Sequence, residues 1–305
     1  MKPTRLLCIV SFALSVFFCD FLFAQASPNF PIPQNPDTLR ILGIGNSFTN
    51  DGMMYLPDLL EAAGIGNVVL GRLAIGGCSL ERHCREYEHD APSYAYYKTN
   101  GNRWETVSKK ATLADGIRDE KWNIVVLQQV SGKSGMYQTY QPWLDRLIEI
   151  VRLNCRNAGV CIAWQQTWAY AADSKHRDFP RYDSDQELMY RCIVESVREL
   201  MRNTSIETVV PSGTAIQNLR RTELKDSLDV TRDGYHLNEK TGRYTAACVW
   251  FQALVAPAVG TTVEHNACRL EGTEHALTDR EALLCQEAAR RACIRMFSVW
   301  PGEKE

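Results

Sequence analysis

Leu39-Arg40-Ile41-Leu42-Gly43-Ile44-Gly45-Asn46-Ser47-Phe48-Thr49 is the stretch on which the fold turns. Leu39 to Ile44 form a short β-type run that ends at Gly45, and Asp51 to Ala63 then read as a helix. A strand that passes through glycine into a helix opens a βα unit. The pattern continues outward. Asn67 to Leu73 is a second strand, closed by Gly76-Gly77, and Ile124-Val125-Val126-Leu127 is a third with no polar face. Such a run suits a strand buried on both sides, as in a parallel sheet. Trp143 to Asn157 is helical by its Leu144, Leu147, Ile148, Val151 spacing, and Val160 to Trp164 is a fourth strand. Glu187 to Met201 is the next helix and Ser205 to Val210 a fifth strand, ended by Pro211. A last helix starts at Thr278, where Thr278-Asp279-Arg280-Glu281 forms a capping box. This alternation predicts one α/β domain over 37–305, a three-layer α/β/α sandwich on a central parallel sheet.

Two segments precede it. Residues 1–26 read as a secretory signal peptide: Lys2 and Arg5 give a positive start, Leu6 to Ala24 is largely apolar, and Ala24-Gln25-Ala26 offers a small-x-small cleavage site. Residues 27–36 form a Pro-rich linker with Pro28, Pro31, Pro33 and Pro36. The expected location is secreted or periplasmic, with no stable membrane insertion once the signal is cut. Export also permits disulfides, and Cys78/Cys84 and Cys155/Cys161 are the nearest-neighbour candidates. No pair has the C-x-x-C spacing of a zinc or redox site, so no metal is expected.

The 305 residues carry 34 Lys+Arg against 36 Asp+Glu, a net charge of -2 that leaves no whole-chain footprint for nucleic acid. Hydrophobic residues at 45% and charged residues at 23% describe an ordinary folded protein, not a disordered or multi-spanning one.

In an open parallel sheet, ligands gather at the carboxyl ends of the strands. After the first strand stands Ser47, placed as a nucleophile in a strand-to-helix turn, or as a plain helix cap. After the second stands Gly77, whose N–H can approach a ligand with no side chain in the way. After the third come Gln128 and Gln129, amides able to donate to an oxyanion or to tie loops together. Late in the chain stands Asp233-Gly234-Tyr235-His236, a D-x-x-H spacing that can set a carboxylate beside imidazole Nδ1. His83 lies six residues past Gly77, either at the same mouth or on the surface. A rival reading has Ser47, Thr49 and Asn50 cradling a flavin phosphate.

Serine, glycine, amide and D-x-x-H in this order form one acyl-transfer kit, and with them the chain resembles the SGNH/GDSL hydrolase superfamily over roughly Leu39 to Trp250. Gly45-Asn46-Ser47-Phe48-Thr49 is similar to its first block and Asp233/His236 to its last. The first block normally reads G-D-S, where this chain has Asn46. The third normally reads G-x-N-D, where it has Gln128-Gln129-Val130-Ser131. The resemblance implies a flavodoxin-like SGNH fold and a Ser47, His236, Asp233 triad. It also implies oxyanion donors at Ser47, Gly77 and Gln128 or Gln129, with no cofactor. The expected activity is hydrolysis of ester substituents on carbohydrate, O-acetyl first. Sugar methyl-ester hydrolysis, lipase or thioesterase chemistry, and silent glycan binding are the alternatives. Aromatics between the strands (Tyr94, Tyr96, Tyr97, Trp104, Tyr137, Tyr140, Trp143, Trp168, Tyr170) suit sugar faces or a core equally. Oligomeric state is not legible.

Overall fold

The computed structural model describes residues 31–226 and 229–300. The signal segment and the start of the linker therefore lie outside the described residues. Seven strands form one sheet: β1 (Leu39–Gly45), β2 (Val68–Ala74), β3 (Tyr94–Asn100), β4 (Arg103–Ala111), β5 (Ile124–Leu127), β6 (Cys161–Gln165) and β7 (Thr208–Val210). The helices are α1 (Ser47–Met53), α2 (Leu56–Ala62), α3 (Leu80–Glu88), α4 (Leu113–Asp119), α5 (Trp143–Asn154), α6 (Gln186–Asn203), α7 (Ser212–Leu219), α8 (Thr241–Trp250), α9 (Ala256–Val259) and α10 (Asp279–Ile294).

The sheet order is β4-β3-β2-β1-β5-β6-β7. β1 runs parallel to β2 and β5, and β6 and β7 continue in parallel beyond β5. The sheet departs from the expected all-parallel pattern at one edge, where β3 is antiparallel to β2 and β4 to β3. Asn100 pairs with Arg103 across a two-residue loop, Gly101-Asn102, with Gly101 at φ 58. Two residues can reverse a chain into a hairpin, whereas a parallel return needs a long crossover.

Period-two alternation sorts the strands into two layers. Leu39 and Ile41, Val68 and Leu70, Ile124 and Val126, Cys161 and Ala163 face one core with α1, α2, α7, α8 and α10. Leu42 and Ile44, Leu73, Val125 and Leu127, Ile162 and Trp164 face the other with α3 and α5. The unbroken apolar run of β5 is thus divided between two cores. α1 lies tight against β1, and a Cβ on Gly45 would stand 2.1 Å from Thr49 Oγ1 and 2.9 Å from the Gln128 side chain. Only glycine permits that approach, which delivers Ser47 to the sheet's carboxyl edge.

Residues 31–36 join no strand or helix, but they dock: Ile32 packs against the core and Asn35 N–H donates to Ala258 O at 2.7 Å. The disulfide candidates are corrected. No described cysteine is in a disulfide, and each thiol of those pairs faces a different partner, Cys78 Sγ turning to Ser79 O. Cys84 Sγ turns to Trp143 O and Cys155 Sγ to Trp122 O, while Cys161 Sγ lies beside Thr208. No helix among the described residues is long and apolar enough to cross a membrane.

Candidate active site

Asn46 caps α1 in extended conformation, its Oδ1 accepting from Phe48 N–H at 3.0 Å. Ser47 is thereby the first helical residue, partly exposed at the end of β1. Its Oγ lies 2.8 Å from His236 Nε2, across 189 residues of sequence. His236 Nδ1 lies 2.6 Å from Asp233 Oδ2. An ionised carboxylate only accepts, so Nδ1 carries the proton and Nε2 accepts from the serine hydroxyl. Asp233 Oδ1 also accepts the N–H groups of His236 at 2.8 Å and Tyr235 at 3.2 Å. Burial works against the ionised carboxyl, but these hydrogen bonds, with His236 foremost, hold it below its ordinary value.

The turn after β2 is brought alongside. Ile75 N–H donates to Gly45 O at 3.2 Å and Asn46 Nδ2 to Cys78 O at 3.0 Å. Between these tethers Gly77 sits exposed at φ 61, a left-handed conformation suited to glycine. Among the described residues, neither Ser47 N–H nor Gly77 N–H donates to a protein acceptor.

The two glutamines have other work. Gln128 is buried, with Oε1 accepting from Thr49 Oγ1 at 2.7 Å and Nε2 donating to Asn46 Oδ1 at 2.9 Å. Gln129 is equally buried. Its Oε1 accepts from Leu80 and Val130 N–H, and its Nε2 donates to Thr139 O at 3.2 Å. Neither amide holds a donor out toward Ser47, so the expected amide arm of the oxyanion site is replaced by a brace beneath Asn46. Thr49 is engaged by Gln128 and buried, which removes it from a phosphate cradle as well.

His83 is neither at the mouth nor on the surface. It is fully buried, with Nδ1 2.8 Å from Tyr94 OH, and burial pushes its pKa down to about 3. Most of the aromatics noted in the sequence also turn inward. Tyr94, Tyr96, Tyr140, Trp168 and Tyr170 are buried, and Tyr97 and Trp104 sandwich the Arg72 guanidinium. Trp168 supports the site from behind, stacking on Phe48 at 4.2 Å and donating Nε1–H to Tyr235 O at 2.8 Å.

Sequence reasoning missed Asp51, one turn after Ser47 on α1. Its carboxylate is buried and accepts from Arg243 Nε at 2.8 Å, Arg232 Nη1 at 3.1 Å and Leu237 N–H at 3.1 Å. Arg232 and Leu237 bracket the D-x-x-H loop, so Asp51 fastens that loop to the serine's own helix. No local pattern marks it, because an Asp on a short helix is ordinarily solvated and only burial creates its need for cationic partners.

The fold and site define an α/β protein with a serine, a histidine and a carboxylate hydrogen-bonded in series at the carboxyl edge of its sheet. The chain belongs to the DUF4886 family, described as a domain of unknown function, whose model matches residues 40–292. It is similar to the crystal structure of a DUF4886 family protein from Bacteroides uniformis: 38% identity, 86% of this chain and 97% of that one, TM-score 0.79. A proposed SGNH hydrolase from Slackia heliotrinireducens is 21% identical over 70% of this chain and 96% of its own, with TM-score 0.46. A mutant acetyl-xylooligosaccharide esterase from Geobacillus stearothermophilus is 12% identical over 74% and 99%, with TM-score 0.48. No curated protein matches the chain.

Proposed function

We propose that the protein is an exported serine esterase of the SGNH/GDSL type that removes ester substituents, O-acetyl foremost, from carbohydrates. The observation that carries this reading is the continuous hydrogen-bond chain from Asp233 through His236 to Ser47 Oγ. In the proposed cycle His236 Nε2 takes the hydroxyl proton as Ser47 Oγ attacks the ester carbonyl carbon. The tetrahedral oxyanion is received by the N–H groups of Ser47 and Gly77. His236 returns the proton to the departing sugar oxygen, leaving an acyl-serine. Water, deprotonated by His236, then attacks that ester and releases acetate and free serine. Asp233 holds the tautomer and stabilises the imidazolium that forms at each step.

Carbohydrate is favoured by the leader read in residues 1–26, since an exported enzyme meets polysaccharide before it meets coenzyme-linked thioesters. The deciding experiment measures acetate released from acetylated xylan and from 4-nitrophenyl acetate, comparing wild type with Ser47→Ala. The variant is expected to lose at least roughly 10³-fold in kcat/KM with thermal unfolding intact. Methanol from methyl-esterified pectin, with no acetate, would move the substrate to methyl esters. Equal turnover by both proteins would remove Ser47 from the mechanism.

A further inference from the structure

The loop from β6 to α6 is laid along the D-x-x-H loop. Ala171 N–H donates to Gly234 O at 2.8 Å, and a Cβ on Gly234 would stand 3.1 Å from Ser174 Oγ. On this loop His176 is half-buried, its ring centroid 4.7 Å from that of Tyr235 and 4.6 Å from that of Tyr170. Tyr235 in turn lies 4.2 Å from the His236 ring. The rings therefore run outward from the triad as His236, Tyr235, His176.

His176 Nδ1 accepts from Asp178 N–H at 3.2 Å, which places the proton of the neutral ring on Nε2. Burial, against the pull of the Asp178 carboxylate, holds the ring's pKa below the ordinary histidine value. Among the described residues neither His176 Nε2 nor Tyr235 OH has a protein partner, and neither atom is among the buried unpartnered ones, so both face solvent. An imidazole donor of fixed tautomer and a phenol thus stand side by side, the phenol ring against His236, whose Nε2 is hydrogen-bonded to Ser47 Oγ. The triad uses neither.

We propose that His176 and Tyr235 form the subsite for the alcohol half of the ester, taking a hydroxyl-bearing sugar ring: His176 Nε2–H donates to a ring oxygen or hydroxyl and Tyr235 OH hydrogen-bonds to a second hydroxyl. Placing the sugar there rests on the esterase reading above. The chemistry of the pair, two polar tips on apolar rings, is that of a surface for polyols rather than for acyl chains.

The test uses the full chain, with acetylated xylo-oligosaccharides and 4-nitrophenyl acetate as the two substrates. The ratio of their kcat/KM values is expected to fall about 10-fold in His176→Ala, the size of one lost neutral hydrogen bond. The fall should reside in KM for the sugar, and His176→Gln, which keeps an N–H donor, should recover part of it. Tyr235→Phe should lower the ratio less. In parallel, the oligosaccharides are titrated into Ser47→Ala protein while the His176 imidazole NMR signals are followed. A shift of those signals is expected. An unaltered ratio, or unmoved signals in a protein whose wild type turns over the sugar, overturns the subsite. Moved signals without any turnover by wild type would remove the esterase reading and leave the subsite as a sugar-binding surface. Unmoved signals together with no turnover would remove both.

Discussion

The two flanks of Ser47 are held to its helix by chemically different means. On the base side, buried Asp51 grips Arg232, Arg243 and Leu237 N–H, fixing the loop that carries Asp233 and His236. On the Gly77 side, Asn46 ties the turn after β2 through Cys78 O and is itself held by the neutral amide of Gln128. An ionic latch whose carboxylate is 1% exposed loses far more when that carboxylate is removed than a chain of neutral amides does. The base loop, reached across more than 180 residues of sequence, is the one given the stronger hold.

The largest effect along this comparison is expected at Asp51. Asp51→Asn leaves two arginines without their shared carboxylate and should cost about 3 kcal/mol in denaturant unfolding. At temperatures where the variant stays folded, kcat should fall at least roughly 10-fold with little change in KM, because His236 loses its register against Ser47 Oγ. A loss of stability without that kcat change would make the latch purely structural. Asn46→Ala removes a helix cap and the tether to Cys78, with an expected cost of about 1–2 kcal/mol and a smaller activity loss. If it equalled Asp51→Asn, the contrast between the flanks would fail.

Acid should separate the flanks further. On the Gly77 side, α3 carries buried His83, whose folded pKa is about 3 against an ordinary 6.5. Between those values the unfolded chain binds the proton and the folded one does not. Stability is therefore present above about pH 6.5 and is lost as pH falls, by about 1 kcal/mol per unit. Unfolding midpoints measured from pH 7 to pH 4 in wild type and His83→Gln check this, since the variant should show a flatter slope. On the base side, Asp233 has a folded pKa below its unfolded value. Its contribution is present above the ordinary carboxylate range and is lost only as pH falls through the lowered folded value. Asp233→Asn should leave the slope between pH 7 and pH 5 unaltered, the smallest of these effects.

Much of the architecture was legible because it is written locally. The β5 run, the α5 spacing and the Thr278/Glu281 capping box, present with both of its hydrogen bonds, are patterns of neighbours within one element. The β3–β4 hairpin was equally local, with Gly101-Asn102 between alternating residues, yet its aromatics drew attention as sugar contacts. The glutamines misled for a different reason. A strand end at the carboxyl edge of the sheet offers an amide two fates, ligand or brace, and only the position of Asn46 and Thr49 beside Gln128 decides between them. His83 was hidden in the same way, since burial depends on what packs over α3.

By itself, then, the sequence determined the five parallel strands and the helices α5, α6 and α10, the strand-to-helix turn that presents Ser47, and the D-x-x-H spacing that joins Asp233 to His236. Each of these depends on residues within a few positions of one another, where backbone geometry sets the outcome. Tertiary structure alone decided the buried grip of Asp51, the work of the two glutamines and the meeting of His236 with Ser47. Those depend on which surfaces are pressed together when two cores close on the sheet, and on the demand that every buried charge and amide there find a partner.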